Sequence, residues 1–288
     1  YISCRFLPNF FKHKYRIVWS KVENVKNINQ INHKAIREIL NYFKIKRGLE
    51  IHYDGDLPNR SGMGSSSSFV VGLLKALYRI NNYNLTKYEL AKKSIFIEQK
   101  ILKEIVGSQD QVSASYGGFN KIIFKKNLIQ VKPIKYNQNI KKLDKNLILI
   151  FTGLQRTAHV IANQYVKKLN TSKKYNINKI ISYVTEGEKI LKTGEIDDFG
   201  KLLNEAWVEK KKLSNTITNK KIDELYAQAI NYGALGGKVL GAGGGGFLLL
   251  YMKKNNRKKF FQKIKNFIHI HFSFASESSQ IIFEDLER

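Results

Sequence analysis

The chain has 288 residues, enough for one large domain or two of ordinary size, and its 43% hydrophobic content is that of a globular protein. A formal charge of +27 raises nucleic acid as a partner, but the lysines are dispersed among Asn and Ile along the whole chain. With no basic finger, RNP-like strand or compact Arg cluster, a specific nucleic-acid function is not expected. No apolar run approaches a membrane span, and the single cysteine, Cys4, excludes a disulfide framework and fits a reducing cytoplasm.

The chain starts at Tyr1, already inside an alternating stretch, and so reads as a fragment lacking an N-terminal segment. Residues 1–22 alternate as two strands around a turn at Pro8-Asn9, the second running from Arg16 to Ser20. Ile36, Ile39, Leu40 and Phe43 share one face of a helix over Asn32 to Phe43. Leu49 to Tyr53 has the two-residue period of a half-buried strand, and Phe69 to Tyr78 the apolar spacing of a buried helix. Between them lies Pro58-Asn59-Arg60-Ser61-Gly62-Met63-Gly64-Ser65-Ser66-Ser67-Ser68. A glycine-rich turn feeding a helix presents unpaired backbone N–H groups at the positive end of the helix dipole, which suits phosphate. Serine hydroxyls add donors for phosphate oxygens or a ligand for magnesium. A plain serine N-cap after an ordinary turn needs fewer such residues. Three other loops are excluded. A Walker loop needs a lysine before Lys75, a dinucleotide fingerprint a glycine at Ser67, and a nucleophile elbow a glycine before Gly72.

Thr86 and Glu89 form a capping box that opens a helix to about Val106, stopped at Gly107. That helix carries Glu98, and Gly107-Ser108-Gln109-Asp110-Gln111 follows. Alone, Glu98 reads as a surface charge and Asp110 as a turn or cap residue. Beside a phosphate loop they match what phosphoryl transfer needs, one carboxylate on magnesium and one to orient or deprotonate the attacking hydroxyl. After a strand at Lys121 to Phe124 and a polar stretch from Pro133 to Lys145, Leu147 to Phe151 is a buried strand. The domain boundary is placed just before it, giving domains 1–143 and 144–288. Arg156 begins the next helix, either as an ordinary helix-start arginine or facing an anionic group of a substrate. Helices follow at 174–193, 196–213 and 219–232. Lys238 to Gly246 contains Gly-x-Gly-x-x-Gly, but the strand Phe247 to Tyr251 follows where a Rossmann loop requires a helix. Its glycines let the backbone pass close to another loop or to a phosphate. A helix at 256–267 and strands at His269 to Phe274 and Gln280 to Phe283 complete the chain. His269 and His271 share a strand face without a third ligand, which argues against a metal there.

The loop at 58–68 resembles the phosphate loop of the GHMP kinases, Pro-x-Gly-x-Gly-Leu-Gly-Ser-Ser, with Arg60 for the first glycine and Met63 for the leucine. Lys238 to Gly246 resembles their third motif, and Glu98 and Asp110 lie between the two at the family's spacing. Gly107 to Asn120, the Ser65 to Leu74 continuation and Thr152 to Ala158 look most like the D-glycero-D-manno-heptose 7-phosphate kinase branch. The resemblance implies a two-domain α+β fold with a ribosomal S5 domain 2-like N-terminal half and a ferredoxin-like C-terminal half. It implies ATP and Mg2+, with Gly62, Gly64, Ser65, Ser66, Ser67, Gly243 and Gly244 at the nucleotide. Ser66 and Glu98 would hold the metal, Asp110 would act on the acceptor hydroxyl, and Gln109 and Arg156 would meet a sugar or sugar phosphate. The residues leave open whether Gln109 and Gln111 hold a carboxylate or reach the sugar. The family's first motif is not in this sequence. The rival readings are a kinase for fucose or galactose, and a catalytically weak sugar or nucleotide sensor on the same fold.

Overall fold

The structure, a computed structural model, describes residues 1–58, 61–126, 128–155, 158–166, 168–169, 171–275 and 277–285. Two packing units divide the chain. The first comprises Tyr1–Pro58, Gly64–Gly118 and Ser276–Arg288, the second Asn59–Met63 and Phe119–Ala275. The break by packing thus falls at Gly118/Phe119 rather than at 143/144. Among the described residues no helix is long and apolar enough to cross a membrane.

The first unit contains β1 (Ile2–Phe6), β2 (Tyr15–Val18), β3 (Val22–Val25), α1 (Lys34–Tyr42), β4 (Leu49–Tyr53), α2 (Ser65–Ile80), α3 (Lys87–Phe96) and α4 (Gln109–Tyr116). Its sheet runs in the order β1-β4-β2-β3. The strands expected in residues 1–22 both form, but β4 lies between them, antiparallel to β1 and parallel to β2. The turn's neighbours in sequence are therefore not neighbours in the sheet. The alternation in β4 sends Leu49 and Ile51 into a core with Ile17, Ile36, Ile39, Leu40, Leu73, Leu74 and Leu77, all fully buried. Glu50 points to the other face and accepts hydrogen bonds from Arg5 Nε (2.8 Å) and Nη2 (2.5 Å).

The capping box of α3 is present, Glu89 N donating to Thr86 Oγ1 at 3.2 Å and Thr86 N to Glu89 Oε2 at 2.9 Å. The helix does not run to Val106. It widens into one i→i+5 turn over Ile97–Ile101, closed by Leu102 N donating to Ile97 O at 2.8 Å, and then stops. Wide turns of this kind are common where a helix must re-aim a functional side chain, and Glu98 sits within this one. The expected strand at 280–283 is absent. Instead the segment 277–285 is pinned along α2 and α4. Ser279 N donates to Ala114 O (3.1 Å), Lys75 Nζ to Ser279 O (2.5 Å) and Arg79 Nε to Glu284 Oε2 (2.5 Å).

The second unit contains β5 (Asn120–Lys125), β6 (Leu128–Pro133), α5 (Gln138–Asn146), β7 (Leu147–Phe151), α6 (Ala158–Val166), α7 (Lys174–Thr193), α8 (Ile196–Lys211), α9 (Lys220–Asn231), β8 (Ala234–Val239), β9 (Phe247–Met252), α10 (Lys254–Lys263) and β10 (His269–Ile270). The pair β5–β6 is an antiparallel hairpin, and an antiparallel sheet runs β10-β7-β9-β8. One face of the sheet packs Ile148, Ile150, Leu248 and Leu250 with Trp207, Ile222, Leu225 and Phe260. The other packs Leu147 and Tyr251 with Ile140, Leu143, Ile190 and Leu191. Burial on both faces is why β7 and β9 read as unbroken apolar runs instead of alternating. The last helix ends at Lys263 and β10 spans only two residues, both shorter than expected.

Candidate active site

In the first unit the site begins at Gly64. It occupies the N-cap of α2 with φ +71° and ψ +18°, a left-handed conformation that side chains other than glycine rarely take. The first helical bond is Ser68 N to Gly64 O at 2.9 Å, so the N–H groups of Ser65, Ser66 and Ser67 have no acceptor within the helix. They form the electropositive end of a sixteen-residue helix. Ser67 is buried, Ser66 exposed and Ser65 half-buried.

The serine hydroxyls turn toward Glu98. Ser67 Oγ donates to Glu98 Oε2 at 2.8 Å and Ser66 Oγ to Oε1 at 3.3 Å. Gln111 Nε2, from α4, also donates to Oε2. Glu98 is fully buried, and burial raises its carboxyl above the ordinary carboxylate range, against these three hydrogen bonds, which favour the charged form. Every donor to it among the described residues is neutral.

Asp110 stands in the first turn of α4, whose N-cap is Ser108, so the cap role is not its own. It packs on Gly64. A Cβ built there would lie 3.2 Å from Asp110 Cβ and Cγ and 3.3 Å from Oδ2. Burial raises the Asp110 carboxyl too, opposed by Gln109. Gln109 is exposed. Gln99 Nε2 donates to Val106 O (3.1 Å) and Ser108 Oγ (3.2 Å), tying the loop before α4 to the wide turn that carries Glu98. One unit thus gathers Gly64, Ser65, Ser66, Ser67, Glu98, Gln109 and Asp110. Gln111 adds a contact that spacing alone does not assign, since it holds the carboxylate thirteen residues away and not that of its neighbour. Its only signal in the sequence is its position on the inward face of a short helix.

A divalent ion fits the chemistry of this donor set. A buried carboxylate with only neutral partners among the described residues, next to a serine hydroxyl, is a hard oxygen site that suits a positive ion. Among the described residues no three His, Cys, Asp or Glu side chains cluster as metal ligands. Such a sparse set suits magnesium, which keeps waters and takes one or two carboxylates along with phosphate oxygens.

The second unit holds the other glycine loop. Gly62 (φ +79°) and Gly241 (φ +64°) lie backbone to backbone, a Cβ on Gly241 falling 2.9 Å from Gly62 Cα. Phe247 N donates to Ser61 O at 3.2 Å. Of the two uses expected for these glycines, close passage of another loop is therefore realised within this unit. Gly243 and Gly244 are buried against Thr216 and Ile217, and Gly244 N donates to Ile217 O at 2.7 Å. Thr152 Oγ1 donates to Gly246 O at 2.8 Å. Arg156 lies outside the described residues.

Residues 30–118 match the family model of the GHMP kinases N terminal domain, and residues 188–269 that of the GHMP kinases C terminal. Together they cover more than half of the chain. D-glycero-alpha-D-manno-heptose 7-phosphate kinase of Campylobacter jejuni is 32% identical over 210 residues, which are 72% of this chain and 62% of that protein. The bifunctional fucokinase/GDP-fucose pyrophosphorylase of Arabidopsis thaliana is 28% identical over 206 residues, 68% of this chain and 19% of its own length. The chain therefore spans less than two thirds of these relatives. A solved D-glycero-D-manno-heptose 1-phosphate kinase of Bacteroides thetaiotaomicron superposes with a TM-score of 0.74 at 22% identity, covering 96% of this chain and 84% of that one. That likeness is one of fold.

Proposed function

Because the chain belongs to the GHMP kinase family, we propose that it is the working part of a sugar kinase moving the γ-phosphoryl group of ATP to a sugar hydroxyl. The acceptor in this reading is the anomeric hydroxyl of D-glycero-D-manno-heptose 7-phosphate, supported by the 32% identity with the Campylobacter jejuni kinase named for that sugar phosphate. The observation that carries the proposal is the meeting, inside one unit, of the bare α2 N-terminus, the buried Glu98 and the Asp110 packed on Gly64.

Phosphoryl transfer passes through a loose transition state, so the protein's work is positioning and charge stabilisation. The N–H groups of Ser65, Ser66 and Ser67 bind phosphate oxygens. Glu98 and the Ser66 hydroxyl are the residues that would hold magnesium, with Gln111 and Ser67 fixing the carboxylate. Magnesium, when bound, neutralises charge on the phosphate oxygens. Asp110 orients the sugar hydroxyl and takes its proton as the new O–P bond forms and the bond to the leaving ADP breaks. Gln109 reaches the sugar, Arg156 an anionic group of the substrate, and the exposed Gly62 keeps loop backbone bare for the nucleotide, whereas Gly243 and Gly244, expected there too, are buried against Thr216 and Ile217 and serve the packing of their own loop.

The test is ADP release by purified protein with heptose 7-phosphate, fucose and galactose, each with and without magnesium. Magnesium-dependent release with the heptose phosphate is expected. Release with fucose or galactose alone would move the acceptor. Binding of ATP and sugar with no turnover of any of the three would overturn the kinase reading in favour of a sensor.

A further inference from the structure

Two phenylalanines of the first unit stand in solvent at the tip of a loop. Residues 8–13 leave the sheet after β1 and return to it at β2, and the two ends of this loop are clasped by one glycine. Leu7 N donates to Gly48 O at 2.8 Å, and Leu49 N donates to Lys14 O at 3.0 Å. A Cβ on Gly48 would fall 2.9 Å from Lys14 O and 3.1 Å from Leu7 O, so the base of the loop is closed tightly. Its tip is open. Phe10 is 81% exposed and Phe11 39%, and neither joins the core of the unit. Their ring centres lie 4.8 Å apart, and that of Phe11 lies 5.5 Å from His13, so the three rings form one projection. A single exposed apolar side chain is ordinary, whereas a contiguous exposed group marks a surface that is covered in use.

A collar of cations surrounds this tip. Lys12 and Lys14 belong to the loop, and Lys44, Lys46 and Arg47 to the turn that leads into Gly48. All five are exposed. Tyr15 Oη donates to Ile45 O at 3.2 Å, and the Arg47 guanidinium lies 3.7 Å from the centre of the Phe6 ring, which holds that turn against β1 and β2. Residues 1–22 and 39–49 contain no Asp or Glu. The nearest carboxylates in sequence, Glu23, Glu38 and Glu50, are engaged by Trp19, Arg37 and Arg5. The collar is therefore a local excess of positive charge around an aromatic tip.

We propose that this loop docks on an anionic lipid bilayer, Phe10 and Phe11 entering the headgroup region while the five cations pair with lipid phosphates. Contact of this kind needs no membrane-spanning helix. The arrangement favours a lipid surface over a single-stranded nucleic acid, which is held by stacking platforms along a basic groove. Here the rings pack on one another, and the charges encircle a projection. A second copy of the chain would bring like charges together at the same surface. The loop lies at the Leu49 end of β4, whereas Tyr53 at the other end meets Phe69, one turn into α2, with ring centres 4.9 Å apart. Docking thus engages the end of the sheet remote from the start of α2, and the proposal is independent of the kinase reading.

The test is flotation of the whole chain with phosphatidylcholine vesicles, alone or with about 30% phosphatidylserine, at about 0.1 M salt. The wild type is expected to float with the anionic vesicles only. Phe10→Ser should weaken that binding roughly 10-fold, the low end for burying a phenylalanine. Lys12→Gln with Lys14→Gln should weaken it about 25-fold, two charges at about fivefold each. These side chains are exposed, so the unfolding temperatures should match that of the wild type. Phe10→Trp should shift its emission to the blue with anionic vesicles, read against the wild type with Trp19 and Trp207. No flotation, or equal flotation with neutral and anionic vesicles, would overturn the proposal. Anionic binding that Phe10→Ser leaves intact would reduce it to unspecific lysine charge and overturn the part given to the rings, as would an unshifted Phe10→Trp. Failure to float together with Phe10-dependent retention of a labelled single-stranded oligonucleotide would overturn it in favour of nucleic acid.

Discussion

Gly64 joins the two parts of the first unit's site, heading α2 on one side and touching Asp110 on the other. Adding one methyl group, Gly64→Ala, separates backbone strain from catalytic displacement. At φ +71° the left-handed backbone costs alanine about 1–2 kcal/mol relative to glycine. For a unit of this size that lowers the unfolding midpoint by roughly 3–8 °C. The new Cβ also stands 3.2 Å from Asp110 Cβ and Cγ, so the carboxylate must yield by a few tenths of an ångström. A 1 Å misplacement costs on the order of 10²-fold in rate, so this smaller one should cost roughly 3- to 10-fold in turnover. Gly107→Ala is the control, since a Cβ there meets nothing within 4 Å. Scanning fluorimetry and ADP release read the two effects on the same samples. An alanine variant that unfolds with the wild type would refute the strain at Gly64. One that unfolds early yet turns over at the wild-type rate would refute the Asp110 contact as functional.

Asp110→Asn should lower turnover by about 10²- to 10⁴-fold, the range of a general base, with unfolding temperature and ATP affinity little changed. Near-wild-type turnover would remove Asp110 from the chemistry. Glu98→Gln removes a buried carboxylate whose partners among the described residues are all neutral, so thermal stability should hold or rise while the magnesium needed for half-maximal ATP binding increases. An unchanged magnesium titration would count against Glu98 as a ligand. Glu209 is held down at about 2 by hydrogen bonds from Lys212, Asn176 and Lys179. A depressed carboxyl stabilises the fold above its ordinary value near 4.5 and loses that contribution as pH falls toward 2. Glu209→Gln should therefore unfold earlier than wild type at pH 7, with the difference closing in acid. A gap independent of pH would contradict this.

What the sequence made legible was local. The capping box at Thr86, the apolar face of α1, the alternation of Leu49 to Tyr53 and the strand–loop–helix passage into α2 are set by residues within a few positions of each other. So was the pairing of a phosphate loop with Glu98 and Asp110 as candidates. Insertion of β4 between β1 and β2 is a long-range choice that no local pattern carries. The wide turn at Ile97–Ile101, with Ile97 and Glu98 buried, likewise leaves no local mark, because periodicity there continues as in any helix. In α5 only Ile140 and Leu143 are buried, too few to stand out from the polar stretch around them. Gln111 was visible as a residue but not as the partner of Glu98, because helix α4 and the wide turn meet only in three dimensions.

The strap of residues 277–285 along α2 and α4 has a consequence for the order of events during synthesis. The first unit cannot be completed from its own early stretches. It must wait for a segment that leaves the ribosome only after the 157 residues of Phe119–Ala275. Closing a loop of that length in an unfolded chain costs on the order of 4 kcal/mol in entropy. At ~5–20 residues per second the interval lasts about 8–30 s, during which α2 and α4 lack the contacts from Ser279 and Glu284. One fastening of the helix bearing Asp110, the bond from Ser279 to Ala114, is thus made among the last events of folding, and a nascent chain stalled inside the second unit would lack it.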